Sequence, residues 1–452
     1  MFKRRRLQVC VVFFNKTKTE RPFVRKFIII VIATSKGANM SELTPTIAIV
    51  GSGPAGCYSA QFLKKSIPSA EITVFEALPV PYGLLRYGVA ADHQGTKNVS
   101  AQFERLFTHS GVRFMGNVEI GKDLGVDELM VAFDVVVFAT GLSSDRRLGI
   151  PGDDLENVIG AGKLLRALNG YPNKSINGQD VTRPLGDRVA VIGNGNVAMD
   201  IVRLIAKSED ELLGSDVDDN LRLELCTTNV RRIDIIGRSP IESAKFDLAM
   251  LREICHLKGA TVNWLNKPLD INCPAADLLL STEAVSSLVS GSVEINFRFS
   301  AAPLLISSRN QATVLTLRLN EGGTVEDLEY DTVITAVGFC SEESDSLALT
   351  PGTYPVGWAR RGPKGTVAEN RRDAAEVASL IVEDLHNGRQ NIGKPGLKAI
   401  EHLVTHKAVS FEQWKRLDRH EIHSAAPGRC RKKTTSITEM LSVMENQVPV
   451  AK

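Results

Sequence analysis

The alternation of apolar and polar positions takes on a regular grammar at Thr46. Thr46-Ile47-Ala48-Ile49-Val50 is a short apolar run, Gly51-Ser52-Gly53-Pro54-Ala55-Gly56 is a glycine loop, helical periodicity continues through Leu63, and Ile72-Thr73-Val74-Phe75-Glu76 is a second run. Short apolar runs bounded by turn residues predict strands, and the order strand, glycine turn, helix, strand predicts a βαβ unit. The order returns at Arg188-Val189-Ala190-Val191-Ile192, with the loop Gly193-Asn194-Gly195-Asn196-Val197-Ala198, a helix to about Ala206 and a strand from Ile233 to Gly237. Two such units predict two separate nucleotide sites.

Two more runs, Asp134 to Gly141 and Asp331 to Gly338, are continuously apolar and end in small residues, as strands buried on both faces should. They read as the strands by which the chain leaves and re-enters its first domain. The expected fold class is therefore α/β, with two Rossmann-like dinucleotide-binding domains and the second inserted in a discontinuous first. Residues 45–143 and 337–452 make the first domain, 144–336 the second, and 1–44 a leader. Gly214 to Asn220 and Ser281 to Ser292 read as surface loops, and the basic tail from Pro427 as mobile.

Length supports more than one domain, since 452 residues exceed what a single core accommodates. Hydrophobic residues at 43% and charged residues at 23% are ordinary for globular chains, and no apolar run is long enough to span a bilayer. A net charge of +2 speaks against a nucleic-acid partner held by a general positive field. The seven cysteines contain no Cys-x-x-Cys pair and no metal-ligand spacing, which excludes a dithiol centre and a cysteine-ligated iron–sulfur cluster, so no metal is expected. The leader carries Lys3-Arg4-Arg5-Arg6 and, before Met40, one acidic residue, Glu20. It reads as a mitochondrial targeting segment, with Met40 as an alternative start.

In the first loop, Gly51 permits a tight turn, Gly53 lets backbone amides approach a pyrophosphate at the helix N-terminus, and Gly56 lets the helix pack on the strand. Glu76 stands where a carboxylate can hold ribose hydroxyls. The second loop has Ala198 in place of the third glycine, and its next strand ends in Gly237-Arg238 with no acid at the ribose position. A carboxylate there would repel a 2′-phosphate, whereas an arginine binds it, so NADP is favoured over NAD.

Longer segments go beyond this grammar. Pro79-Val80-Pro81-Tyr82-Gly83-Leu84-Leu85-Arg86-Tyr87-Gly88-Val89-Ala90-Ala91-Asp92-His93, Gly195-Asn196-Val197-Ala198-Met199-Asp200, Gly357-Trp358-Ala359-Arg360-Arg361-Gly362-Pro363-Lys364-Gly365-Thr366-Val367 and Val409 to Trp414 make the chain resemble the adrenodoxin reductase family of ferredoxin–NADP reductases. The resemblance implies FAD at Ala55, Glu76, Leu84, Ile120, Trp358, Gly365, Thr366 and Val367. It implies NADP at Asn194, Gly195, Asn196, Val197 and Arg238, and a buried polar pair near the flavin at His93 and Asp200. It also implies hydride transfer from NADPH to flavin, a [2Fe–2S] ferredoxin of the adrenodoxin type as acceptor, and a mitochondrial matrix location with peripheral association with the inner membrane. His93 can manage a proton or merely stiffen its loop.

The chain departs from the family at Ser239, where a second arginine is usual, and at Met250, where an acid is usual; the stretch from Cys340 to Pro355 is also short. These departures predict a weakened preference for NADPH over NADH. They keep open a non-catalytic or NADH-using flavoprotein as the alternative. Arg231, Arg232, Arg252, Arg360, Arg361 and Arg372 are candidates for a docking face toward an acidic ferredoxin.

Overall fold

The computed structural model describes residues 44–445 apart from 143, 173–174, 177–178, 181–182, 269–270, 287–292, 310–311, 320–322, 342–349, 364 and 391. Residues 1–43 of the leader and half of the Cys340–Pro355 stretch lie outside the described residues.

Two all-parallel sheets organise the chain. The first has the order Thr353–Pro355, Val135–Phe138, Thr46–Val50, Glu71–Phe75, Arg113–Met115. The second has the order Ala260–Leu265, Val293–Arg298, Arg232–Ile236, Arg188–Ile192, Thr332–Thr335, Val158–Gly160. Val135–Phe138 is buried at every position, as a strand covered on both faces requires. Helix Pro54–Ser66 crosses from the first strand to the second and packs against the long helix Val367–His386.

One strand differs from its expected place. Thr332–Thr335 belongs to the second sheet, and the chain re-enters the first through Thr353–Pro355. Buried parallel strands of both sheets carry the same apolar run, so the run alone does not say which sheet takes it. The two crossings are themselves joined, because Ser144–Asp145 pairs antiparallel with Phe339–Cys340.

An antiparallel meander, Ala301–Arg309, Ala312–Leu319 and Val325–Tyr330, covers one face of the second sheet. Buried Asp234 fastens it there, accepting from the Tyr330 hydroxyl at 2.7 Å and from the Asn296 amide at 2.8 Å.

Three loop readings are corrected. In the stretch from Gly214 to Asn220, Ser215, Asp216 and Val217 are buried rather than on the surface, and a helix begins at Asp219. Residues 281–286 complete the helix Pro274–Ser286. The tail beyond Pro427 is bound rather than mobile as far as Glu445: the Cys430 amide donates to the Ser215 carbonyl, the Thr434 amide to Glu421, and Ile437–Glu445 packs its Met440 and Met444 into the first domain's core. Its charges are consumed inside the protein, where Lys433 and Lys97 both reach buried Asp216, at 2.8 and 2.7 Å.

Candidate functional site

The first loop leaves its strand with Gly51 at φ +102°, where a Cβ would sit 2.5 Å from the Ala139 carbonyl oxygen. A side chain there would be both strained and blocked. Gly56 likewise has no room for a Cβ, because the Gly51 carbonyl fills that space. Gly53, by contrast, faces open space within 4 Å. It is the N-cap of helix Pro54–Ser66, whose first turn carries no acid. This is a helix start shaped for an anion.

Glu76 stands beside it, one carboxylate oxygen accepting from the Ser52 amide at 3.0 Å and the Ser52 hydroxyl at 2.6 Å. Its other oxygen takes the Leu78 amide at 3.2 Å. Leu84 opens the short helix Leu84–Tyr87, and its N-cap Gly83 lies against Gly53. Ile120 is half-buried against the cluster that holds Met115, Val118 and Leu124.

The C-terminal segment lies on this loop. Gly357 has φ +69°, and a Cβ on it would come within 2.6 Å of the Ala55 Cβ. Its amide donates to buried Asp373 at 2.5 Å, and the same carboxylate holds Arg360 at 2.9 Å through Nε. Asp373 thus fixes the Gly357-Trp358 turn onto helix Val367–His386, and sequence reading passed over it. Trp358 stacks at a tilt on Phe339, with centroids 5.3 Å apart, and its indole N–H is buried without a partner among the described residues. Gly365 and Thr366 are exposed at the start of that long helix, with Thr366 as its N-cap and Val367 its first residue.

The second loop repeats the geometry on the second sheet. Gly193 has φ +125° and is closed in by the Ala336 carbonyl, while the position of a Cβ on Gly195 has only the Lys245 Cβ near it, at 3.9 Å. Helix Asn196–Ala206 starts there, again with no acid in its first turn. The Asn196 side chain and Asp247 exchange two hydrogen bonds of 2.7 Å, which join this helix to helix Leu248–Cys255. Val197 is half-buried against the second domain's core. The Asn194 side-chain nitrogen is buried without a partner among the described residues, against the backbone of Gly237. Arg238 follows, exposed and without a carboxylate in ion-pair range among the described residues. Ser239 supplies only a carbonyl, which accepts the Ser300 amide at 3.1 Å.

Between the two halves lies a charge cluster that the sequence reading saw in part. Arg203 is fully buried and meets Asp92 at 2.8 Å, Asp200 at 2.8 Å and Glu253 at 2.9 Å. Asp92 comes from the first domain's 79–93 segment, whose Ala90 and Ala91 are inserted in the second domain's core. Lys207 adds a second cation on Asp92 at 2.7 Å. His93 and Asp200 do not form a closed buried pair. Their side chains are 25% and 14% exposed, His93 Nδ1 is 3.7 Å from Asp200, and His93 Nε2 is hydrogen-bonded to Glu253 at 3.1 Å. Arg203 binds the Asp200 oxygen and shares the Glu253 oxygen with His93.

Burial raises the Asp200 carboxyl above its ordinary value, against the pull of Arg203 and His93. Burial alone would also raise Asp92, but the hydrogen bonds and charges of Arg203 and Lys207 hold it well below the usual carboxylate range. Met250 puts its sulfur 3.9 Å from the same guanidinium. A signal for Arg203 was present in the sequence: it is the one charged residue in Ile201-Val202-Arg203-Leu204-Ile205.

The candidate docking arginines divide. Arg232 is held by Asp234, Arg360 by Asp373 and Glu376, and Arg361 by Asp373 at 3.2 Å. Arg231, Arg252 and Arg372 are exposed and have no ion-pair partner among the described residues.

Comparison with known proteins follows the same lines. The family model described as pyridine nucleotide-disulphide oxidoreductase matches residues 45–232, which contain both loops. Cindoxin reductase of Citrobacter braakii is 42% identical over 434 residues, covering 90% of this chain and 93% of that one. The mitochondrial NADPH:adrenodoxin oxidoreductase of Salvelinus fontinalis is 31% identical, covering 88% and 91%. The solved structure of Mycobacterium tuberculosis FprA in complex with NADPH matches with a TM-score of 0.81 at 28% identity, covering 89% of this chain and all of that one.

Proposed function

The chain belongs to the adrenodoxin reductase family of ferredoxin–NADP reductases, FAD-dependent oxidoreductases that draw on NADPH, and we propose that its own acceptor is a [2Fe–2S] ferredoxin of the adrenodoxin type. One observation carries the reading: two helix N-termini free of acid sit on two separate parallel sheets, one beside a carboxylate, Glu76, and the other beside an unpaired cation, Arg238.

The residues suit the two cofactors. Open space at Gly53 and the partnerless Trp358 indole N–H fit FAD, which needs close backbone approach and offers ring acceptors. The near-open Gly195, the partnerless Asn194 amide and the free Arg238 fit NADP. When bound, the nicotinamide supplies hydride and the flavin converts a two-electron donor into a source of single electrons.

The protein's part is positioning. Phe339 reaches from the linker ribbon to Trp358 on one side and lies against Gly162 of the second domain on the other. The Asp92–Arg203–Asp200–Glu253 cluster holds the two halves in register, so that two rings can meet at contact distance. No nucleophile is required. Arg231, Arg252 and Arg372, exposed and without an ion-pair partner among the described residues, are the cations left to attract an acidic partner. The rate of ferredoxin reduction should fall steeply as salt is raised; a rate indifferent to ionic strength would remove docking by charge.

The NADH-using alternative is favoured by a single observation, the lone Arg238 beside uncharged Ser239. The mitochondrial matrix address rests on the basic leader, since bacterial as well as mitochondrial relatives match. A fluorescent fusion of residues 1–44 that failed to enter mitochondria would end it. No described helix is long and apolar enough to cross a membrane, and the inner-membrane association we propose is peripheral.

A further inference from the structure

We propose that Lys245 binds the pyrophosphate of the nicotinamide cofactor, so that affinity rests on a cation serving NADPH and NADH alike while Arg238 alone reads the 2′-phosphate. The inference rests on the assignment of the second loop to NADP.

Lys245 is built into that loop. Its amide donates to the Asn194 carbonyl at 3.1 Å, and it pairs with Gly195 in an isolated parallel bridge. The direction in which Gly195 lacks a side chain is the face left free for a ligand, and beyond the loop's own neighbours the Lys245 Cβ, at 3.9 Å, is the sole atom within 4 Å of it among the described residues. The lysine stem therefore starts at the rim of the space a pyrophosphate would enter.

Lys245 is exposed, and no carboxylate lies within ion-pair distance of its ammonium among the described residues. Most surface lysines have nothing to bind, but this one stands at a helix start that has a second ligand signal, the buried Asn194 nitrogen without a partner. It also offsets a local liability. Asp247, tied to Asn196 at 2.7 Å, places a negative charge beside an anion site, and Lys245, two residues earlier, supplies the opposite charge. Arg238 sits at the far side of Asn194, past Gly237, where the adenosine ribose follows the pyrophosphate. The two cations thus flank Asn194 and face different phosphates.

The test is titration calorimetry of NADP⁺ and NAD⁺ into the FAD-loaded wild type, K245M, K245R and R238A. K245M should weaken both ligands by about five- to tenfold and leave their ratio unchanged within about twofold, and K245R should bind like wild type. R238A should weaken NADP⁺ alone. Unchanged binding of both ligands by K245M would overturn the proposal, as would a loss confined to NADP⁺, which would place the lysine on the 2′-phosphate. A wild type that binds neither ligand would refute the NADP assignment itself.

Discussion

Replacing Arg203 by Met removes the cation shared by Asp92, Asp200 and Glu253 and leaves a side chain of similar length. Arg203 is 0% exposed, Asp92 6% and Asp200 14%, so two of the three carboxylates remain largely cut off from water. Breaking a buried pair by removing one partner costs about 3–5 kcal/mol, because the surviving charge is uncompensated. Glu253 is 43% exposed and Lys207 still holds Asp92, which places R203M at the lower end, near about 3 kcal/mol. For a chain of this size, with an unfolding entropy of about 2.1 cal/mol/K per residue, that corresponds to a fall in Tm of about 3 °C, read by calorimetry on the FAD-loaded protein.

The pH dependence gives the sharper check. Asp92 has a folded-state pKa below its unfolded one, so its stabilisation is present above the unfolded value and lost only as pH falls toward the folded value. Asp200 has the opposite shift, so its ionised form costs stability that is recovered as pH falls through its folded pKa. In R203M, Asp92 loses its main partner and moves toward the behaviour of Asp200, with Lys207 and His93 as the remaining neighbours. The gap between variant and wild type should therefore narrow from pH 7 to pH 5. A Tm change under about 1 °C, or a gap that widens on acidification, would refute a structural role for the cluster.

Three shorter predictions accompany it. G357A forces a Cβ toward Ala55 at a positive φ, so the purified variant should hold less FAD and lose about 1–2 kcal/mol; full occupancy at wild-type Tm would contradict the fit of that turn. Wild-type preference for NADPH over NADH, measured as the ratio of kcat/KM, should stay below about a thousandfold and shrink to within about tenfold in R238A; a larger wild-type preference would show that Ser239 costs nothing. H93A should slow turnover by about two- to fivefold with FAD retained, and unchanged activity would leave His93 as a tie to Glu253 rather than a proton carrier.

Much of this site is legible in sequence because glycine sterics are local. Gly51, Gly56 and Gly193 each sit where a side chain would strike a neighbouring carbonyl, and a steric demand of that kind shows in one residue type at one spacing. What escaped is non-local. Asp92, Arg203 and Glu253 lie far apart in sequence, and nothing in the order of residues says that helix Asn196–Ala206 and helix Leu248–Cys255 turn their charges onto the 79–93 segment. Thr353–Pro355 is too short to announce itself as a strand, whereas the more conspicuous apolar run ending at Gly338 belongs to the second sheet. The tail misled for a related reason: its basic composition resembles solvated chain, but Lys433 is matched by an aspartate buried 217 positions earlier, at Asp216.

The central claim is that NADPH reduces a flavin in this protein and that a ferredoxin then draws the electrons off one at a time. It is tested most directly by anaerobic titration of the purified yellow protein with NADPH, followed by cytochrome c reduction with and without a [2Fe–2S] ferredoxin. The account predicts stoichiometric bleaching of the flavin and a cytochrome rate that rises and saturates with ferredoxin. A flavin that NADPH leaves oxidised, or a cytochrome rate the same without ferredoxin, would contradict it.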